Sequence, residues 1–168
     1  PLWAVHIGLD PAAVGVIFGV SAGVDAALFY PAGIVMDRFG RKWAGVPSIL
    51  TLAVSFFLLP LTGGFVSLMA VGIVMGIGNG MGSGYGATVG SDLAPAVGRA
   101  EFLGLWQMVA NLGNISGPLI LGGVVAVASI GAASVIMGVI GVIGTAQIAL
   151  LVAETLEQEP DRSGAGDS

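Results

Sequence analysis

The sequence predicts an all-α, polytopic bundle of transmembrane helices, and three observations carry that prediction. The 168 residues are 55% hydrophobic and only 9% charged, with a mean hydropathy of +0.98. Ordinary globular domains are about 25% charged, and a soluble core of this size cannot bury such an apolar excess. The charges are also bunched: no Asp, Glu, Lys or Arg lies between Lys42 and Asp92, nor between Glu101 and Glu154. The third observation concerns the basic residues. Arg38, Arg41, Lys42, Arg99 and Arg162 all fall in alternate connections, which places them on one side of a membrane.

A helix needs about 20 apolar residues to cross a hydrocarbon core of about 30 Å. Five stretches qualify: 12–36, 44–61, 65–89, 102–128 and 132–153. Residues 1–8 look like the end of an earlier helix, with Trp3 at the interface. The chain begins at Pro1 and not at Met, and the expectation is a fragment without its natural start. Asp10-Pro11 opens the first span, Asp10 as N-cap and Pro11 in the first turn. Connections 37–43 and 90–101 carry basic residues, whereas 62–64 and 129–131 carry no charge. By the positive-inside rule the basic side is cytoplasmic, so that Pro1 lies outside and Ser168 inside. Residues 154–168 form a hydrophilic cytoplasmic tail. Its five acids, Glu154, Glu157, Glu159, Asp161 and Asp167, against Arg162 hold most of the net charge of −5.

Glycine occupies every second position from Gly76 to Gly86. The closest approach to a dinucleotide fingerprint, Gly82-Ser83-Gly84-Tyr85-Gly86-Ala87, lies inside an apolar run. That pattern binds a nucleotide only between a strand and a helix, so no nucleotide site is expected. On a helix, Gly76, Gly80 and Gly84 share one face and Gly78, Gly82 and Gly86 share another, about 200° away. Small residues at this spacing allow close backbone approach in lipid. The third helix is therefore expected to have near neighbours on two sides, with its glycines making room for helices or for a cavity. The chain has no cysteine and a single histidine, His6, to which no role is assigned. No metal site and no cofactor are expected.

Residues 33–42 read Gly33-Ile34-Val35-Met36-Asp37-Arg38-Phe39-Gly40-Arg41-Lys42, a G-x-x-x-D-R-x-G-R-K pattern. A basic loop with a glycine turn accounts for the arginines but not for Asp37, an anion at the carboxyl end of a helix where the macrodipole opposes it. This pattern resembles the signature loop of the major facilitator superfamily of secondary transporters, between the second and third helices of a six-helix half. The stretches Ser91-Asp92-Leu93-Ala94-Pro95, with Arg99 and Gly104, and Leu112-Gly113-Asn114-Ile115-Ser116-Gly117-Pro118 follow in family-like order, and Glu154-Thr155 resembles an acid-threonine pair closing the last helix. The resemblance covers nearly the whole chain. The lack of arginine in 65–89 and the short tail after Glu154-Thr155 favour the carboxyl-terminal half: the end of the seventh helix and the eighth to twelfth.

Polar residues inside spans are costly and mark function or helix-to-helix hydrogen bonds. Asp25 sits at the middle of the first span, where an ionised acid costs about 2.5–3.5 kcal/mol on insertion scales. Two readings stand: a carboxylate for a proton or a substrate, or a structural hydrogen bond to a neighbouring helix. Asn79, with Ser83, marks a face of the third span; Gln107, Asn111 and Asn114 line one face of the fourth. These five, Asp25, Asn79, Gln107, Asn111 and Asn114, are the candidate pathway residues. Gly33, Asp37, Arg38, Gly40, Arg41 and Lys42 are the candidate gating motif, with Gly33 admitting a close helix and Gly40 a sharp turn. Pro118 is expected to bend its helix.

The resemblance implies alternating access by two six-helix bundles around a midplane site, driven by an ion gradient with protons as the expected ion. The implied partners are the lipid bilayer of a cytoplasmic membrane, the missing amino-terminal half, a small solute and protons; no nucleic acid is expected. The alternative is a non-transporting receptor or assembly subunit on the same membrane fold. An intramembrane hydrolase would need a serine–histidine pair or two in-span acids, and the sequence has one in-span acid, Asp25.

Overall fold

The computed structural model describes residues 2–151. Expectations that rest on the tail, on Glu154-Thr155 and on Arg162 lie outside the described residues. Within them the chain is a set of helices joined by short turns, as backbone in hydrocarbon requires. A short helix α1 (Leu2–His6) leads into α2 (Pro11–Phe39). Asp10 caps α2, its Oδ1 accepting from the Ala13 amide at 2.8 Å, and Pro11 stands in the first turn. α3 (Lys42–Leu58) ends in a 3-10 turn (Leu59–Leu61), and the chain reverses through Thr62 and Gly64 into α4 (Phe65–Met81). Then come α5 (Tyr85–Leu93), α6 (Arg99–Val127) and α7 (Ile130–Leu151). Ser129 Oγ accepts from the Ala132 amide at 3.1 Å and so caps α7. Counting α3 with its 3-10 turn, and α4 with α5, five helical stretches are long and apolar enough to cross a membrane.

Two boundaries differ from the sequence reading in a way that matters. The segment expected as one helix over 65–89 is two. α4 stops at Met81, and α5 starts after Gly84, whose φ of +79° lies in the left-handed region. That conformation suits glycine and is costly for residues with a Cβ. The signature loop, expected over 37–43, shrinks to Gly40-Arg41. Asp37 and Arg38 ride on the last turn of α2, and Lys42 is already the first residue of α3. Gly40 makes this reversal at φ +105°. α6 continues as a helix through Pro118.

The packing is governed by glycine. A Cβ on Gly72 would lie 3.1 Å from Ile17 Cγ2, one on Gly76 2.5 Å from the Ser21 carbonyl oxygen, and one on Gly80 2.7 Å from the Asp25 carbonyl oxygen. Steps of four along α4 thus meet steps of four along α2, and the two helices run parallel in contact through their backbones. On its other side, Gly78 faces Leu52 and the Ser48 carbonyl, and Gly82 faces the Ser48 side chain. The expected pair of small-residue faces therefore exists over residues 72–82, one toward α2 and one toward α3. Gly84 and Gly86 do not extend it: Gly84 forms the break, and Gly86 faces open space. Behind α3, α7 docks with Gly138 under Phe57 and Gly141 against Ala53. α6 sits at the margin, and none of its residues is buried.

Candidate functional site

Two polar constellations stand out, one midway along α2 and one at the end of the bundle where the basic residues gather. The first is built by the α2–α4 contact. Because glycines hold these helices backbone to backbone, Asn79 on α4 reaches Asp25 on α2, and its Nδ2 donates to Asp25 Oδ2 at 2.8 Å. The other carboxylate oxygen, Oδ1, is shielded and has no hydrogen-bond donor among the described residues. Beside the pair lies an open recess of about 300 Å³ lined by Phe18, Ser21, Asp25, Leu52, Met75 and Asn79. Gln107, Asn111 and Asn114 are not brought to it. All three are exposed along α6.

The second constellation joins five helix ends. Arg41, in the turn after α2, donates from Nε to Asp92 Oδ2 at 2.8 Å and from Nη2 to Asp92 Oδ1 at 3.4 Å. Its Nη1 donates to the Met36 carbonyl at 3.0 Å, capping the end of α2. Asp37 stands 4.0 Å from the same guanidinium, and its side chain is 77% exposed, against 13% for Arg41. The strong partner of Arg41 is therefore Asp92 at the end of α5, and Asp37 keeps most of its surface free. Lys42 Nζ donates to the Ala149 carbonyl at 3.3 Å, where a cation meets the negative end of the α7 dipole. Arg99, opening α6, donates from Nη2 to Ser91 Oγ at 2.6 Å and to the Ser91 carbonyl at 3.3 Å. Arg38 is exposed, and a Cβ on Gly33 would touch nothing within 4 Å. The close neighbour expected at Gly33 is not supplied by the described residues.

Sequence reading missed several of these residues. Asp92 was legible only as part of a family-like stretch, because its partner lies 51 positions away. Ser48 donates to the Gly78 carbonyl at 2.7 Å across the α3–α4 contact. Ser55, Ser134 and Thr145, by contrast, bond back to their own helices. Trp106 holds α5 to α6, its Nε1 donating to the Gly86 carbonyl at 2.8 Å, and its ring occupies the space a side chain at Gly90 would need. Trp3, expected as an interfacial aromatic, donates to Thr62 Oγ1 at 2.7 Å and ties α1 to the turn after α3.

Helices of membrane-crossing length, an acid held at mid-helix by an amide of the neighbouring helix, and charged contacts across helix ends together define a polytopic α-helical membrane protein. The sequence matches the family described as Major Facilitator Superfamily over residues 1–167. The chain belongs to the major facilitator superfamily, a family of membrane transporters. No curated protein matches it.

Proposed function

We propose that this chain is the carboxyl-terminal six-helix half of a secondary active carrier that moves a small solute by alternating access, coupled to protons. The observation that carries the reading is the Asp25–Asn79 pair. A carboxylate in the middle of a membrane helix costs free energy unless it faces a polar interior, and here one oxygen is held by Asn79 while the other lacks a donor, beside an open recess. A proton on Asp25 removes that cost, which is why a mid-membrane acid suits ion coupling. Gln107, Asn111 and Asn114 form a polar face on a helix with no buried residue. In the carrier this face turns toward the other half and completes the pathway.

The end of the bundle holding Arg38, Arg41, Lys42 and Arg99 is cytoplasmic under the positive-inside rule, and the membrane is the cytoplasmic one. The exposed Asp37 and the open surface at Gly33 belong to a contact with the amino-terminal half that closes the cytoplasmic side. The test uses the full-length carrier in proteoliposomes, with a trapped pH dye and a panel of small solutes. Solute-dependent proton movement is expected in the wild type, with at least a tenfold loss in Asp25→Asn at equal reconstitution. Undiminished proton movement in the variant assigns Asp25 to structure, and proton-silent behaviour toward every solute favours a receptor or assembly role on this fold.

A further inference from the structure

The Asp25–Asn79 bond is a product of helix register. A Cβ on Gly80 would lie 2.7 Å from the Asp25 carbonyl oxygen and 3.1 Å from the Asp25 Cα. Gly80 therefore rests on the backbone of the acid itself. Asn79, one residue back along α4, is turned about 100° from that contact, and from there its Nδ2 reaches Asp25 Oδ2 at 2.8 Å. One turn earlier, a Cβ on Gly76 would lie 2.5 Å from the Ser21 carbonyl oxygen, so the same contact is fixed at a second point. Asn79 gives Asp25 its one side-chain hydrogen bond among the described residues, since Oδ1 is shielded and has no donor there. The ionised carboxylate depends on a single donor, and the reach of that donor depends on how closely two helices approach.

Resting on the proton-coupled reading above, we infer that Gly76 and Gly80 are positioning residues for the coupling acid. Their backbone contact with α2 keeps Asn79 on Asp25, and widening it uncouples proton movement from solute movement. The bond has little tolerance. Relieving the 2.5 Å contact at Gly76 to 3.0 Å moves the helices apart by 0.5 Å. The same displacement along the 2.8 Å bond passes the usual N–H···O limit of about 3.2 Å. An ionised acid at mid-membrane depth without a donor is strongly disfavoured. The half of the cycle in which Asp25 is without its proton is then the half that fails. Solute contacts on the α6 face, at Gln107, Asn111 and Asn114, do not pass through this bond, so the loss falls on protons moved per solute and not on solute binding. The α3–α7 contact supplies an internal comparison. A Cβ on Gly141 would lie 2.8 Å from the Ala53 Cβ, a similarly tight joint between helices that carry neither Asp25 nor Asn79.

Two measurements on the full-length carrier separate positioning from coupling. In the first, infrared difference spectra are recorded across a pH jump, with the proton as the only ligand, and the Asp25 carboxylate band is assigned by its absence in Asp25→Asn. The band is expected to shift in the same direction in Gly76→Ala and in Asn79→Leu, and to stay in place in Gly141→Ala. It is expected to return toward its wild-type position in the double variant Gly76→Ala/Asn79→Gln, where the longer amide spans the wider gap. In the second, protons moved per solute are counted in proteoliposomes, using the solute of the panel that drives proton movement. The ratio is expected to fall at least twofold in Gly76→Ala and in Asn79→Leu and to hold in Gly141→Ala. The half-saturating solute concentration of Gly76→Ala is expected within twofold of wild type. Asn79→Leu keeps both glycines and carries the test where Gly76→Ala does not fold. An unshifted band in Gly76→Ala, a wild-type ratio in Asn79→Leu, or an equal fall in Gly141→Ala would each overturn the inference. A wild-type carrier that moves no proton with any solute sinks the reading on which the inference rests. Wild-type proton movement with an unchanged ratio in Gly76→Ala sinks the positioning role alone.

Discussion

Adding one methyl group at Gly76 tests the packing that sets the site. The Cβ of Gly76→Ala would lie 2.5 Å from the Ser21 carbonyl oxygen, 3.2 Å from its carbonyl carbon and 3.3 Å from its Cα. All three are backbone atoms, so no rotamer change relieves them. Cβ contacts below 3.0 Å are essentially not observed, so α2 and α4 must separate by at least the difference between 2.5 and 3.0 Å, which is 0.5 Å. Overpacking of this kind costs about 1–3 kcal/mol, offset by up to about 1 kcal/mol from the better helix propensity of alanine. A net loss of about 0–3 kcal/mol is expected, weighted to the upper end because the obstacle is rigid.

Gly80→Ala meets the Asp25 carbonyl at 2.7 Å, and the same separation relieves both contacts. The double variant is therefore expected to lose less than the sum of the single ones, as coupled neighbours do. Gly86→Ala is the control, because a Cβ there meets nothing within 4 Å; its stability is expected at or slightly above wild type. Thermal unfolding of the full-length carrier in detergent provides the measurement. Fully additive losses at Gly76 and Gly80, or a Gly86→Ala variant as unstable as Gly76→Ala, would refute the backbone-contact account.

The Arg41–Asp92 pair is expected to show a coupling of about 1–3 kcal/mol, the range for charge-assisted hydrogen bonds, in a double-mutant cycle of Arg41→Gln and Asp92→Asn; a coupling near zero would mark the pair as a solvated surface contact. Asp37→Asn is expected to leave insertion unchanged and shift the full-length carrier toward its cytoplasm-open form. Distance measurements between the halves check this, and an identical distance distribution leaves Asp37 with a topological role only. Orientation is tested by cysteines at positions 41 and 63 with an impermeant reagent applied from outside: position 63 is expected to react and position 41 to stay silent, and the opposite pattern inverts the proposed topology.

The helix content could be read from the spacing of charges alone, because two long charge-free runs leave an apolar backbone no other way to satisfy its hydrogen bonds in lipid. The two-sided packing of the third span could be read as well, since four-residue glycine spacing is a property of helix geometry. The interruption at residues 82–84 could not. Gly84 looks like its neighbours in sequence, and nothing in the alternating glycine pattern marks it out for a left-handed backbone. The site divides the same way. Asp25 and Asn79 are conspicuous as polar residues in apolar spans, but their pairing depends on which α2 residues stand opposite Gly76 and Gly80. Asp92 and Ser48 escaped because their partners are remote in sequence. The stripe of Gln107, Asn111 and Asn114 is plain on a helical wheel, yet its helix packs too little against the rest of the chain to bring that stripe to Asp25.

The glycine contact between α2 and α4 also sets a mechanical tolerance. Where helices meet through side chains, rotamer changes take up small displacements and the joint has slack. Between Gly76 and Ser21, and between Gly80 and Asp25, there is almost no side chain to give way. The spacing is set by main-chain atoms and, at Gly80, also by the Cβ of Leu28, none of which a rotamer change can move, as in a machined fit with no gasket. The Asp25–Asn79 distance of 2.8 Å is thereby referenced to two rigid rods. This fixed spacing ends at the glycine break of residues 82–84 and does not extend along α5 to Asp92.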